Sequence, residues 1–125
     1  MQNIILAMKK HNIHRLIISS TLSVSDPDDL PDFKSRVLIN LVKLINRSAY
    51  EEIINAGKVV RSSNLDWTII RLPLLNNNAK SGKVRVGYLG RNEVGLKISR
   101  ADIADFMLKL VQDTKYIRKA PAISN

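Results

Sequence analysis

The chain has 125 residues, 45% apolar and 25% charged, with a net charge of +9. That is the make-up of one folded domain spanning 1–125, and of neither a disordered segment nor two domains. No apolar run approaches the ~18 residues needed to cross a bilayer, no basic-then-apolar leader opens the chain, and cysteine is absent; disulfides and thiol chemistry are excluded, and a cytoplasmic protein with no membrane partner is expected.

The positive charge is scattered among acids, and the few aromatic residues sit outside any basic stripe that could stack bases, so a nucleic-acid partner is not expected. From Asn3 to His11, Ile4, Ile5 and Met8 share one helical face. Leu16 to Ile18, inside RLIISS, is a short β-branched run of the kind found in a parallel strand buried on both faces. TLSVSDPDDLPD reads as a loop punctuated by Pro27 and Pro31. Its Asp26, Asp28, Asp29 and Asp32 miss the calcium-loop spacing, with Pro31 and Val37 where glycine and glutamate are required, and read as an acidic solvated loop. Helical spacing resumes near Lys34: Val37, Leu38, Leu41, Leu44 and Ile45 form one stripe, and Ile53, Ile54, Ala56 and Val60 a second, with a break predicted at Asn46 to Ser48.

Trp67 to Leu72 reads as a strand, and the order strand, helix, strand implies a right-handed parallel crossover. SGKVRVGYLG alternates loosely, as in a strand or hairpin arm. Ser99 to Asp102 has the spacing of a capping box ahead of an amphipathic helix carrying Ile103, Phe106, Met107 and Leu110. YIRKAPAISN is a tail or a short terminal strand.

Ser19, Ser20 and Thr21 follow the first strand directly, where open α/β sheets place their chemistry. Position alone leaves two readings open: hydroxyls that meet a ligand, or turn residues that start a loop. His11 and His14 lack a neighbouring carboxylate cluster and do not suggest a metal. Gly82, Gly87, Gly90 and Gly95 are too widely spread for a phosphate cradle and read as turn or bulge residues. A Tyr-x-x-x-Lys pair is absent, since Ile54, Asn92 and Ala120 stand four residues after the tyrosines.

HRLIISS, SSNLDWTIIRLPLL, GKVRVGYLG and KISRADIADFMLKLV, in that order, resemble the carboxyl-terminal half of the atypical short-chain dehydrogenase/reductases, in the branch holding NmrA-like proteins and the flavin reductase/biliverdin-IXβ reductases. The resemblance implies an α/β fold, the carboxyl-terminal half of a Rossmann-like doubly wound parallel sheet lacking the first three strands and the glycine-rich loop that holds NAD(P)H by its pyrophosphate. It places Ser20 beside the nicotinamide as the catalytic residue, flanked by Ser19 and Thr21, with Leu72, Pro73, Leu74 and Leu75 walling the ring. Glu52 falls at a position we take as structural. Two departures stand out: Leu72 separates Arg71 from Pro73 where many relatives have Arg-Pro, and Leu74 stands where the biliverdin-IXβ reductases carry a histidine, which argues against a bilin substrate.

The implied function is that of the carboxyl-terminal portion of an NAD(P)H-binding oxidoreductase, passing hydride to a flavin, quinone or similar small-molecule acceptor when complete. Alone, such a chain is expected to bind the cofactor weakly or not at all, because each lost phosphate contact is worth roughly 1.5–3 kcal/mol. The first strand would be left as an open edge, a template for a homo-oligomer. The alternative is a non-catalytic NmrA-like module that senses redox state or docks a protein, or a structural remnant of one.

Overall fold

The computed structural model describes Met1–Asn125. After helix α1 (Gln2–Lys10), the chain turns through Asn12, which adopts a positive φ of 57°, into strand β1 (Arg15–Thr21). Helices α2 (Phe33–Ile45) and α3 (Arg47–Arg61) follow, then strand β2 (Asp66–Leu72). RLIISST and DWTIIRL are rich in β-branched residues and pair parallel in unbroken register, from Arg15 opposite Asp66 to Thr21 opposite Leu72. A parallel pair needs a long crossover, which α2 and α3 supply. The short strands β3 (Leu74–Asn76), β4 (Arg85–Gly87) and β5 (Lys97–Ser99), helix α4 (Arg100–Lys109) and strand β6 (Ala122–Ser124) complete the chain.

The main sheet has the order β1-β2-β6-β4, with β6 parallel to β2 and antiparallel to β4; β3 and β5 form a separate parallel pair. The terminal residues Ala120 to Ser124 are therefore not a loose tail but a buried inner strand and its approach. Alternation sends Leu16, Trp67 and Ile69 to one face, where they meet Ile5 of α1 and Val60 of α3. Ile70 and Ile123 face the other way and meet Ile103 and Leu110 at α4. Helices thus cover both faces, as in a doubly wound sheet.

Two expectations fail for one reason each. In β1 only Leu16 is buried, so RLIISS is not closed on both faces: it is the edge strand, with a neighbour on one side only. In α2 the side turned inward carries buried Ser35 and half-buried Leu38, Ile39 and Val42. Of the stripe read from spacing only Leu38 joins it, while Val37, Leu41, Leu44 and Ile45 are 52%, 51%, 84% and 74% exposed. Spacing reveals that apolar residues share a helix face, not which side of that helix the sheet occupies. The break at Asn46 holds: its side chain caps α3 by accepting from Ala49 N at 3.0 Å.

The acidic loop is not solvated either. Arg71, fully buried in β2, donates from both guanidinium ends to Asp29, at 2.6 and 2.8 Å, and also to the Val24 carbonyl at 3.1 Å. Asp29 further accepts from Leu89 N at 3.0 Å and Asp26 N at 2.8 Å. Asp26 accepts from Ala120 N at 2.9 Å, and Asp32 caps α2 by accepting from Ser35 N at 2.8 Å. These aspartates are internal acceptors that bind the loop to β2, β6 and the segment after β4. Gly90, at φ 75°, belongs to the same junction: a Cβ there would stand 2.5 Å from the Leu30 carbonyl oxygen.

At the start of α4, Ser99 Oγ accepts from Asp102 N at 3.1 Å, the expected half of a capping box. The reciprocal half is replaced. The buried Asp102 carboxylate instead accepts from Ser99 Oγ, Ser81 N and Oγ, Gly82 N and Asn125 Nδ2, at 2.6–3.0 Å. It gathers the loop before β4 and the chain's last residue at one helix terminus. Hydrogen bonds from Ser81 N and Ser99 Oγ hold this carboxyl well below the usual carboxylate range against the opposing effect of burial. For Asp29, burial alone would raise the pKa, but the hydrogen bonds from Arg71 and Asp26 N outweigh it and the net shift is downward.

Replacing Asp29 by Asn leaves the Arg71 charge buried without its counterion and is expected to cost about 3–5 kcal/mol, read from urea denaturation at neutral pH. Native values of Asp29 and Asp102 below their unfolded value mean that their stabilisation is complete above about pH 4 and lost as pH falls through the native values. Accordingly the stability of the Asp29→Asn variant should fall less steeply with acid below that pH than the wild type's.

Candidate functional site

The parallel register between β1 and β2 brings two separate stretches of sequence to one place. Ser20 pairs with Arg71 and Thr21 with Leu72, so both strands end together and release their loops at the same sheet edge. There Ser19, Ser20, Thr21, Leu72, Pro73 and Leu75 line one cleft of about 450 Å³. Met1, Ile18 and, from α3, Ile53, Ala56 and Gly57 complete its floor and side. Ser20 follows Leu16 and Ile18 in the alternation and so faces α3.

The hydroxyl residues are the last members of β1 rather than a turn. Thr21 Oγ1 accepts from Ser23 N at 3.2 Å and is committed to the loop. Ser20 is half-buried and Ser19 exposed, and the hydroxyls of both are without a partner inside the chain, free to meet a ligand. Leu74 is the exception among the residues singled out from sequence. It faces a neighbouring cleft of about 100 Å³ with Leu38, Ile39 and Val42 of α2, while Pro73 and Leu72 border both.

Ile53, Ala56 and Gly57 are site residues that sequence reasoning did not pick out. A glycine inside a helical pattern was the available signal, because it costs stability and marks a close approach. Here a Cβ on Gly57 would lie 3.4 Å from Val24, in ordinary contact, so Gly57 sits where the β1–α2 loop packs onto α3. The Arg71–Asp29 pair, which holds that loop from behind, had no sequence signal at all.

No ionisable side chain lines the cleft. Tyr88 borders a second cleft beside the amino end of α2, with Lys34, Ser35, Lys97 and Asn125, and burial, reinforced by Asp26 and Asp28, pushes its phenol up to about 12. It is therefore a poor proton donor at neutral pH. His11 and His14 are exposed, and no group of His, Asp or Glu side chains converges on a metal-sized space.

The donor set suits one end of a nicotinamide dinucleotide. Apolar walls accept the faces of a flat ring, and unpaired hydroxyls at the carboxyl ends of parallel strands suit its carboxamide. The other end finds no match: no glycine-rich turn between a strand and a helix is present to cradle phosphates. Residues 1–114 match the family model described as NAD(P)H-binding.

The chain belongs to the NAD(P)H-binding family. It is 30% identical over 117 residues to a UPF0659 protein of Schizosaccharomyces pombe, an alignment covering 89% of this chain and 46% of that protein. A short-chain dehydrogenase/reductase from Veillonella parvula, solved in complex with NADP, superposes with a TM-score of 0.68 at 24% identity, over 98% of this chain and 55% of its own. ChuY from Escherichia coli O157:H7, described as an anaerobilin reductase, does so with a TM-score of 0.71 at 20% identity, over 97% and 54%. These likenesses are of fold. The chain spans about half the length of the proteins it matches, and its architecture is a partial Rossmann-like sheet.

Because the Ser20 hydroxyl supports nothing within the protein, Ser20→Ala is expected to change folding stability by less than about 0.5 kcal/mol. A larger loss in urea denaturation would mean that the hydroxyl is a structural group.

Proposed function

We propose that this chain forms the nicotinamide-and-acceptor side of an NAD(P)H-dependent reductase site. The observation that carries the reading is the parallel register that sets Ser20 opposite Arg71 and Thr21 opposite Leu72, joining a hydroxyl rim to an apolar wall in one cleft. Leu72, Pro73 and Leu75 flank the ring on one side and Ile53 and Ala56 on the other. Ser20 donates to the carboxamide or to the acceptor and fixes its orientation. The reduced nicotinamide, when bound, supplies a hydride. With no ionisable side chain in the cleft, the matching proton comes from solvent, which suits flavin- or quinone-like acceptors, whose reduced forms take up protons from water without a dedicated acid. The NADP-bound relative and the family match support the choice of cofactor.

A second reading is a redox-sensing or protein-docking module of NmrA type that uses the same cleft without turnover. Both readings give the free edge of β1 a strand partner, from a second copy or from the remaining half of the fold. A well-folded monomer in sedimentation velocity at micromolar concentration would count against a second copy.

Titrating NADPH into the chain while following backbone amide signals tests the site. Weak binding is expected, with shifts at Ser19 to Thr21, Leu72, Leu75 and Gly57, and a twofold to tenfold weaker response in Ser20→Ala, the worth of one hydrogen bond at about 0.5–1.5 kcal/mol. Shifts confined to Lys34, Tyr88 and Lys97 would place the ligand in the other cleft and sink the assignment.

A further inference from the structure

Helix α2 lies across the carboxyl end of the sheet with its Leu38, Ile39 and Val42 turned toward Pro73 and Leu74. Its opposite side is also apolar. Phe33, Val37, Leu41, Leu44 and Ile45 are 81%, 52%, 51%, 84% and 74% exposed, and Leu30, just before the helix, is 48% exposed. At 100° per residue, Phe33, Val37 and Leu44 fall on one line, and Leu41 and Ile45 widen it to one flank. Lys34 falls within the arc, between Leu41 and Ile45, and Arg36 and Lys43 lie beyond its other edge, past Asn40.

Between Phe33 and Tyr50 there is no acidic residue, and Arg47, just beyond the helix, is paired with Glu51. The nearest acid, Asp32, is occupied in capping α2. Phe33, Val37, Leu41 and Leu44 line none of the larger clefts, so the face is convex and offers no groove to select a partner's shape.

A large apolar arc edged by the cations Arg36 and Lys43, with Lys34 within it and no acid on the exposed side, is the pattern of a helix that lies in a lipid–water interface. A second copy of α2 would bring Lys34, Arg36 and Lys43 against their own kind with no carboxylate to pair them. A nucleic acid would meet the cations but leave the apolar arc in water. We propose that the outer face of α2 docks this protein on an anionic lipid surface, with Phe33, Val37, Leu41 and Leu44 entering the acyl boundary and Lys34, Arg36 and Lys43 meeting lipid phosphates and carboxylates. This amends the expectation of no membrane partner while leaving intact the finding that no helix is long and apolar enough to cross a membrane.

The test is co-sedimentation of the whole chain with vesicles of two parts phosphatidylcholine to one part phosphatidylserine, and with phosphatidylcholine alone. Binding is expected to the mixed vesicles and to be weaker without the anionic lipid. Phe33→Gln combined with Leu44→Gln, both highly exposed and so harmless to the fold, should abolish it. Arg36→Gln combined with Lys43→Gln should weaken it roughly 25-fold, about fivefold per cation. Leu6→Gln combined with Leu108→Gln, exposed apolar positions elsewhere, should leave it unchanged.

The proposal is overturned if the wild type ignores both vesicles, or if Phe33→Gln/Leu44→Gln binds the mixed vesicles as well as wild type, since the attraction would then be charge alone. It is likewise overturned if the same variant instead dissolves a dimer seen in sedimentation without lipid, since α2 would then be a contact between copies.

Discussion

The buried pairing of Arg71 with Asp29 is the constraint around which this chain is arranged. A fully buried guanidinium in the middle strand of a sheet is tolerable only with a carboxylate at hydrogen-bonding distance, and the carboxylate available is in the loop that leaves β1. Meeting that demand draws residues 24–29 against the end of β2, and Leu89 N and Asp26 N use the remaining capacity of the carboxylate. The loop, the segment after β4 and the start of α2 are therefore positioned by one ion pair. Since Ser20 stands opposite Arg71 in the register, the same pair holds the strand ends from which the cleft opens.

The opposite side of the sheet uses the same device without a cation. Asp102 gathers backbone and hydroxyl donors from Ser81, Gly82, Ser99 and Asn125, joining the loop before β4, the start of α4 and the end of the chain. A carboxylate surrounded by donors can be buried because both of its oxygens accept hydrogen bonds, and its charge then makes each of those bonds stronger than a neutral one. Arg15 supplies the third such tie: its guanidinium reaches Asp66 O, Thr68 Oγ1 and Leu110 O, linking β1 to β2 and to the end of α4. Most of the short strands here have three residues, too few to be held by ladder bonds alone. Polar ties between distant segments take over that work.

The functional cleft and the apolar outer face of α2 are two sides of one arrangement. The inner side of α2 borders the loop that carries Pro73 and Leu74; its outer side is turned to solvent with large apolar residues uncovered. A surface that held that helix would lie next to the mouth of the cleft. A hydrophobic acceptor dissolved in lipid would then have a short path to the Ser20 rim, which joins the reductase reading to the docking proposal without making either depend on the other.

Much of this was legible in the chain itself. The runs RLIISST and DWTIIRL, a long helical stretch between them and a break at Asn46 dictate a parallel crossover, because β-branched runs separated by helical spacing have few other ways to bury their apolar sides. The local sequence likewise marked Ser99 as a helix cap and Trp67 to Leu72 as a strand, while the loop expected after it turned out to hold the short strand β3. Tertiary structure alone decided three things. Asp29, among several similar aspartates, became the partner of Arg71, because pair formation depends on where the loop folds back and not on its composition. YIRKAPAISN became an inner strand, because β2 and β4 left a lane that only it could fill. The stripe on α2 turned outward, because periodicity fixes the angle between side chains on a helix and is blind to the direction from which the core approaches.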